Sequence, residues 1–245
     1  MQIHKVTYPV AVLQAMPKAH LSAFLLIGHF LNEANWLQKL LLYGTQDESG
    51  NEPERHARLA LSLMLSKVFA TKIHEGWLKL THGELGTTLA ALTLSEKMQA
   101  VRAELEVRLQ PGSILHSIRR LHGAHYPSSL SLDGLPGISQ SDVALFLTPH
   151  AGDTLSLISE LSATADMNSI VGTAPVGESL GKILDEIIST SGLYSDFLHA
   201  TLVALTDLSL SIAPTTEIIG NLDATPLADV RLRFFVTSSG APAET

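Results

Sequence analysis

The residue types with the clearest potential for chemistry lie together at residues 114–126, which read ILHSIRRLHGAHY. Within this segment, Arg119 and His125 could form a catalytic Arg/His pair. The planar guanidinium of arginine binds oxyanions well, and histidine can take up or release a proton near neutral pH. The same residues also fit two other interpretations, a metal cluster and a solvated helix end, where cations favour the helix dipole.

Helical geometry constrains how these side chains meet. On an ideal helix, Ile114, Ile118 and Leu121 form an apolar face, and His125 falls in its middle. Arg119 lies roughly 120° from His125, so the two side chains do not meet within one regular helix. Either the last turn unwinds at a glycine, or a second copy of the chain supplies the missing partner. The alternative is a core His125 that is hydrogen-bonded to a carboxylate.

Arg120 and His122 are supporting candidates within the same segment. A further polar stripe, with i, i+3, i+4 and i+7 spacing, lies on the first long helix at His29, Asn32, Glu33 and Trp36. A matching group lies on the second long helix at Lys72, Glu75 and Lys79. We interpret both groups first as a buried hydrogen-bond network, with Glu33 accepting from His29 or from a neighbouring helix's lysine or arginine. In the functional alternative, Glu33 or Glu75 orients Arg119 or His125.

Eleven histidines raise the question of a metal site, and His122 and His125 have a spacing that can chelate. However, the Glu-x-x-His motif of di-iron bundles and the His-Glu-x-x-His motif of zinc proteases are both absent. There is no cysteine, which excludes disulfides, thiolate ligands and cysteine nucleophiles. The glycine-rich motifs of serine hydrolases and nucleotide-binding proteins are missing as well. We therefore expect neither a metal nor a cofactor.

The charge of the chain is unevenly distributed. Residues 1–126 hold 13 basic and 10 acidic residues, whereas residues 127–245 hold 3 basic and 14 acidic ones. Any contact with a polyanion should therefore fall on the first half. The net charge of −8 argues against tight nonspecific binding to DNA.

Hydrophobic periodicity predicts long helices over 17–43 and 53–81, a third from the capping-box pattern at Thr93 to Pro111, and a short fourth over 114–126. A modest helix is predicted within 153–170, and a long one over about 176–210 that continues through Gly192. Strands are predicted near the N-terminus, at 142–148 and at 230–235, which together could form a small sheet. No segment has the roughly 20 apolar residues needed to span a bilayer, and no signal peptide is visible.

These elements predict a mainly α protein, an up-and-down helical bundle with a few short peripheral β-strands. We expect residues 1–245 to form a single domain. Its core should comprise about 17–126 and the long helix at about 176–210, with 127–175 and 212–245 as connecting or peripheral segments. The sequence leaves open whether the acidic second half packs on the same core.

The segment Arg119–His125, which reads RRLHGAH, resembles the R-x4-6-H motif of HEPN domains. Its place after two long helices and a third resembles their order of elements, and the segments IGHFLNEANWLQKL (27–40) and ATKIHEGWLKL (70–80) resemble helices of uncharacterised bacterial proteins near that group. The resemblance covers about residues 17–126. The sequence differs from the common motif at Arg120, where Asn or Asp is usual, and at Ala124, where an aromatic residue is usual.

The resemblance implies a metal-independent ribonuclease of a defence or toxin type, which works as a homodimer with Arg119 and His125 at the dimer interface. Candidate partners are RNA and a protein such as an antitoxin, and we expect a cytoplasmic location without membrane contact. Many HEPN-like proteins have lost catalysis. The alternative is therefore a non-catalytic helical module for dimerisation or interaction.

Overall fold

The computed structural model describes residues 2–45, 50–122, 145–147, 154–157, 159–161, 170–171, 176–210, 215–221, 229–230 and 233–234. The helices are α1 (Val10–Gln14), α2 (Lys18–Thr45), α3 (Glu52–Thr81), α4 (Gly83–Ala90), α5 (Glu96–Arg108), α6 (Ile114–His122) and α7 (Val176–Ser209). The strands are β1 (Gln2–Thr7), β2 (Leu145–Phe146), β3 (Leu155–Ser156) and β4 (Thr215–Asn221). The mainly helical class predicted from the sequence is therefore confirmed.

Short polar side chains fix where three of the helices begin. The side chain of Asn51 accepts the backbone N–H of Glu54 at 3.0 Å and caps α3. Ser113 caps α6 in the same way. The prediction of Thr93 as the start of the third helix is wrong by two residues, because Ser95 is the cap of α5 and accepts a backbone N–H at 3.4 Å.

The two longest helices of the first half run antiparallel. Gly44 near the end of α2 lies against Ser62, and Glu33 farther back on α2 bonds to Lys72. Residue numbers therefore rise along α2 while they fall along α3. This is the up-and-down arrangement that short connections favour.

Helix α7 returns along both α2 and α5. His20 of α2 meets Ser209 at 2.8 Å, and Arg108 of α5 donates to Glu186 at 3.0 Å. The helix continues through Gly192, as predicted. α7 thus closes the bundle on the side of α2 and α5.

The core is built from apolar side chains of α2 to α7. Fully buried residues from these helices include Ile27, Leu41, Phe69, Ile73, Leu105, Leu115, Ile118, Ile183, Ile187 and Leu198. Burial of one such side chain stabilises a fold by about 1.5–3 kcal/mol, so this shared core dominates the packing of the helices.

The strands form two small antiparallel ribbons. β1 pairs with β4, with Lys5 opposite Glu217 and their side chains joined at 2.7 Å. β2 pairs with β3. The predicted three-stranded sheet is therefore wrong. Within 153–170, the region predicted as a modest helix, residues 155–156 form a strand, whereas residues 157, 159–161 and 170 are helical. The described residues within 230–235 are not in a strand.

Helix α4 was not predicted from the sequence. Gly83 adopts a φ of 67°, which lets the chain turn after α3 and start a new helix at once. α4 packs on α2 and α3. Among the helices of the described residues, none combines the length and apolar character needed to cross a membrane.

Gly76 of α3 provides a test of the packing between α3 and α7. A Cβ at this position would overlap the hydroxyl of Tyr194, whereas a Cβ at Gly28 of α2 would meet nothing within 4 Å. We expect Gly76→Ala to destabilise the protein by about 1–3 kcal/mol through overpacking. Gly28→Ala should stabilise it by roughly 0.5–1 kcal/mol through the lower entropy of the unfolded chain. Urea denaturation measures both.

The double variant Gly76→Ala/Tyr194→Phe separates overlap from other effects. The Tyr194 hydroxyl is buried and has no hydrogen-bond partner in the structure, so its removal alone should cost little. In the double variant, removal of the hydroxyl should recover part of the stability that Gly76→Ala loses. Strictly additive losses would contradict this packing.

Candidate functional site

The position of α6 depends on its buried side chains. Leu115 and Ile118 are both fully buried, and Ile114 packs at the edge of the core. Leu121 is 40% exposed, so the predicted apolar face that included it is wrong at that residue. The buried face is rotated toward Leu115, which brings the side chain of Arg119 over α3 rather than into open solvent.

Arg119 forms an ion pair with Glu75 of α3. The Nε and Nη2 atoms of Arg119 both lie 2.6 Å from Oε1 of Glu75. The two side chains are 38% and 44% exposed, so the pair lies at the surface over the contact between α3 and α6. One edge of the guanidinium is thus fixed, while the Nη1 atom has no hydrogen bond to another described residue.

Two histidines lie directly beside this ion pair. His74 precedes Glu75 on α3, and His116 lies one helical turn before Arg119 on α6. Their ring centroids are 5.3 Å apart, with the ring planes tilted by 54°. His74 is only 3% exposed and its Nδ1 atom has no hydrogen-bond partner.

The surroundings of His74 favour its neutral form. Burial lowers the pKa of His74, and the nearby His116 and Arg119 lower it further. Glu75 and a hydrogen bond to the Leu109 backbone raise this pKa, but they are the weaker effects. The guanidinium in the same cluster makes the four-residue group better suited to an anion than to a metal cation.

The other predicted residues of the motif are Arg120, His122 and His125. Arg120 is exposed. His122 ends α6, but its side chain lies outside the described residues. His125 also lies outside the described residues. The structure thus brings Arg119 and Glu75 together and does not describe the geometry of His125.

The polar stripe on α2 is more exposed than predicted. His29, Asn32 and Trp36 are exposed, and the Trp36 side chain is 64% accessible. Glu33 accepts from Lys72 at 2.7 Å and lies 3.7 Å from His29, so its predicted partners are correct. A buried network is wrong here, because three of the four side chains of the stripe are exposed and only Glu33 bonds to α3.

The two ion pairs are close neighbours on α3. Lys72 and Glu75 lie one turn apart on one face of this helix, so the Glu33–Lys72 pair adjoins the Arg119–Glu75 pair. None of these contacts connects Glu33 with Arg119 directly. Glu33 is therefore a neighbour of the cluster rather than a member.

Sequence reasoning missed His74 and His116 as members of the cluster. The available signal was the i, i+3 spacing of His116 and Arg119, which places both on one side of α6. No pattern in the sequence shows that this side faces His74, because that depends on how α6 packs against α3.

Among the described residues, no three His, Asp or Glu side chains lie close enough together to hold a metal ion. A groove of about 630 Å³ separates the α4–α5 connection from the second half of α7. It is lined by apolar side chains with His199 and Asp207, and it contains none of the residues predicted from the sequence.

Comparison with protein-family models, with curated proteins and with solved structures finds no match for this chain.

The buried His74 should make stability depend on pH. The pKa of His74 in the folded protein lies below the ordinary histidine value of 6.5. The contribution of His74 to stability is therefore greatest above pH 6.5 and is lost as the pH falls below that value. The loss occurs because the unfolded chain then binds a proton that the folded chain resists. We expect His74→Gln to flatten the fall in unfolding free energy between about pH 7 and pH 5. Urea denaturation at several pH values measures this dependence of the unfolding free energy on pH.

His29→Gln is the matched control, because the His29 side chain is 63% exposed. It should keep the slope of the wild type. An unchanged slope in His74→Gln would show that the buried ring is not the group responsible.

Proposed function

We propose that this protein is a HEPN-like ribonuclease that cleaves RNA without a metal ion and works as a homodimer. The observation that carries the proposal is the fixed but accessible position of Arg119. Glu75 holds its Nε edge, and the side chain remains 38% exposed. A guanidinium held in this way is oriented before a ligand arrives, which reduces the entropy lost on binding.

The proposed chemistry needs one cation and one proton-transfer group. Arg119 would hold the phosphate and stabilise the charge that develops on its oxygens. His125 would take the proton of the 2′-hydroxyl or, when protonated, give a proton to the leaving oxygen. The reaction then requires neither a metal nor a cofactor.

The proposed dimer follows from helical geometry. α6 is described only as far as His122, and in a regular helix extended to residue 125 Arg119 and His125 would lie roughly 120° apart. On that geometry a single chain would not direct both side chains at one phosphate. Two copies related by a twofold axis would bring the arginine of one protomer to the histidine of its partner. The exposed Arg120 would then lie at the rim of the same cleft.

The charges around Arg119 support contact with a polyanion. Lys72, Glu75 and Lys79 share one face of α3, and both lysines are exposed. The two lysines together with Arg119 and Arg120 outnumber the neighbouring carboxylates, which belong to Glu33 and Glu75. Phosphate contacts of this kind supply the sequence-independent part of RNA affinity. The resemblance to HEPN domains implies a defence or toxin type for this activity, with an antitoxin as a candidate protein partner.

RNA cleavage by purified variants in the presence of EDTA tests this proposal. We expect Arg119→Ala to lower the rate by about 10²-fold or more, as for the loss of an oxyanion-stabilising donor. His125→Ala should lower it by about 10²–10⁴-fold through the loss of acid–base catalysis. The wild type should remain active, because the proposed chemistry needs no metal ion.

Arg102→Ala is the matched control. The Arg102 side chain is 39% exposed and pairs with Glu106 on α5, so it resembles Arg119 in exposure and pairing. It should keep the rate of the wild type. Equal rates for the wild type and His125→Ala would remove the enzyme hypothesis, and an activity that EDTA abolishes would favour a metal site instead.

The second candidate function is a non-catalytic module for dimerisation or interaction. One observation favours it, which is the exposed apolar surface of α2 and α3. Leu25 and Trp36 lie on one face of α2 and are 59% and 64% exposed, and Met64 and Val68 on α3 are 51% and 47% exposed. Exposed aromatic and aliphatic side chains of this kind are frequent at protein interfaces.

Trp36→Ser tests the module. If this surface joins two protomers, the variant should weaken dimerisation by roughly 30-fold or more, since buried tryptophans at interfaces often contribute at least 2 kcal/mol. Sedimentation over a range of concentrations measures the change. Val107→Ser on α5, where Val107 is 62% exposed, is the control. An equal dissociation constant in all three proteins would exclude this face as the dimer interface.

A further inference from the structure

The starting observation is a buried acceptor without a donor. His74 is 3% exposed, and its Nδ1 atom has no hydrogen-bond partner. The backbone of Leu109 is the hydrogen-bond partner of this ring, which leaves Nδ1 as the unpaired atom. Buried polar atoms of proteins are usually paired, and this one lies beside a guanidinium and a second imidazole, where it can accept a hydrogen bond or a proton.

The second histidine has a defined tautomer. The backbone N–H of Gly112 donates to Nδ1 of His116 at 3.3 Å, so that atom carries a lone pair rather than a proton. Gly112 has a φ of 89°, a left-handed conformation that turns its N–H toward the ring. The neutral His116 therefore offers one donor, its Nε2–H, beside the ring of His74.

His116 and Arg119 lie on the same side of α6. Their i, i+3 spacing places them one turn apart, and both act electrostatically on His74. Arg119 is held by Glu75 through its Nε and Nη2 atoms, and no described residue accepts a hydrogen bond from Nη1. The centroid of the His116 ring lies 5.3 Å from that of the buried His74 ring, and Arg119 lies one turn away on the same side of α6.

We propose that His116 and Arg119 together bind a phosphate oxyanion, and that His74 behind them takes up a proton from solvent when the anion arrives. Arg119 favours a ligand of negative charge and disfavours a metal ion at this place. A bound anion stabilises the charged form of the nearby His74 ring, so His74 gains a proton as the site fills. This inference rests on the proposed function, because the oxyanion is taken to be the phosphodiester of RNA.

The test is NMR of the full-length protein with labelled histidine rings, with signals assigned through His116→Gln and His74→Gln. Inorganic phosphate is the first probe, and a short RNA strand with 2′-deoxy substitutions that prevent cleavage is the second. We expect both probes to shift the His116 and His74 signals in a saturable manner. The apparent pKa of His74 should rise by about one unit.

Variants make the test specific. Arg119→Ala should weaken phosphate binding by about tenfold or more, since a charged hydrogen bond is lost, while Arg102→Ala should leave it unchanged. Binding of the RNA strand but not of phosphate would indicate that the ligand is a phosphodiester, and the reverse would indicate a free phosphate or monoester. Both results support an oxyanion site.

The proposal is overturned if neither probe moves the two signals, or if the exposed His29 shifts equally and Arg119→Ala has no effect. Failure of the ribonuclease proposal is distinguishable from this result. Absent cleavage together with a saturable shift at His116 and His74 would remove the enzyme and keep the oxyanion site. Cleavage by the wild type without any such shift would remove only the oxyanion site.

Discussion

The packing of α6 on α3 is the constraint on which the candidate site depends. Leu115 and Ile118 are fully buried, and burial of each contributes about 1.5–3 kcal/mol. The Arg119–Glu75 pair is more than one-third exposed on both sides, and such pairs contribute only about 0–1 kcal/mol. Apolar burial therefore sets where α6 lies, and the ion pair only selects the rotamer of Arg119. The chemistry of the site follows from the hydrophobic contact beneath it.

The same contact explains why a histidine is buried without a full set of partners. His74 sits on the inner side of α3, where the adjoining residues Ile73 and Trp77 belong to the core. An apolar residue would remove the unpaired Nδ1 atom, which costs about 1–3 kcal/mol when it is left unsatisfied. A polar group that is costly to the fold and lies beside an arginine is typical of a functional site rather than of core packing. His74, and not only Arg119, therefore characterises the cluster.

Sequence patterns predicted those features that local chemistry determines. The long helices α2, α3 and α7 follow from apolar periodicity, and the pairing of Glu33 with a neighbouring lysine follows from their stripes. The prediction of the sheet is wrong because β1 pairs with β4, more than 200 residues away in the sequence. No local signal specifies that partner. α4 was missed because Gly83 reads as a helix end, although its φ of 67° only redirects the chain. The His74–His116 contact joins two helices and has no signature on either one.

The acidic net charge does not decide what the cluster binds. Solvent-exposed charges are largely screened beyond about 8 Å at physiological salt, so a ligand at Arg119 responds mainly to the groups within a turn or two of it. Those groups include Arg120, Lys72 and Lys79, against the carboxylates of Glu33 and Glu75, and the two carboxylates are already paired. The net charge of −8 acts instead on long-range encounter, where it slows the approach of a polyanion at low salt. The proposed oxyanion site is thus compatible with an acidic protein, and the net charge favours a ligand that presents one or two phosphates over a long polyanionic strand.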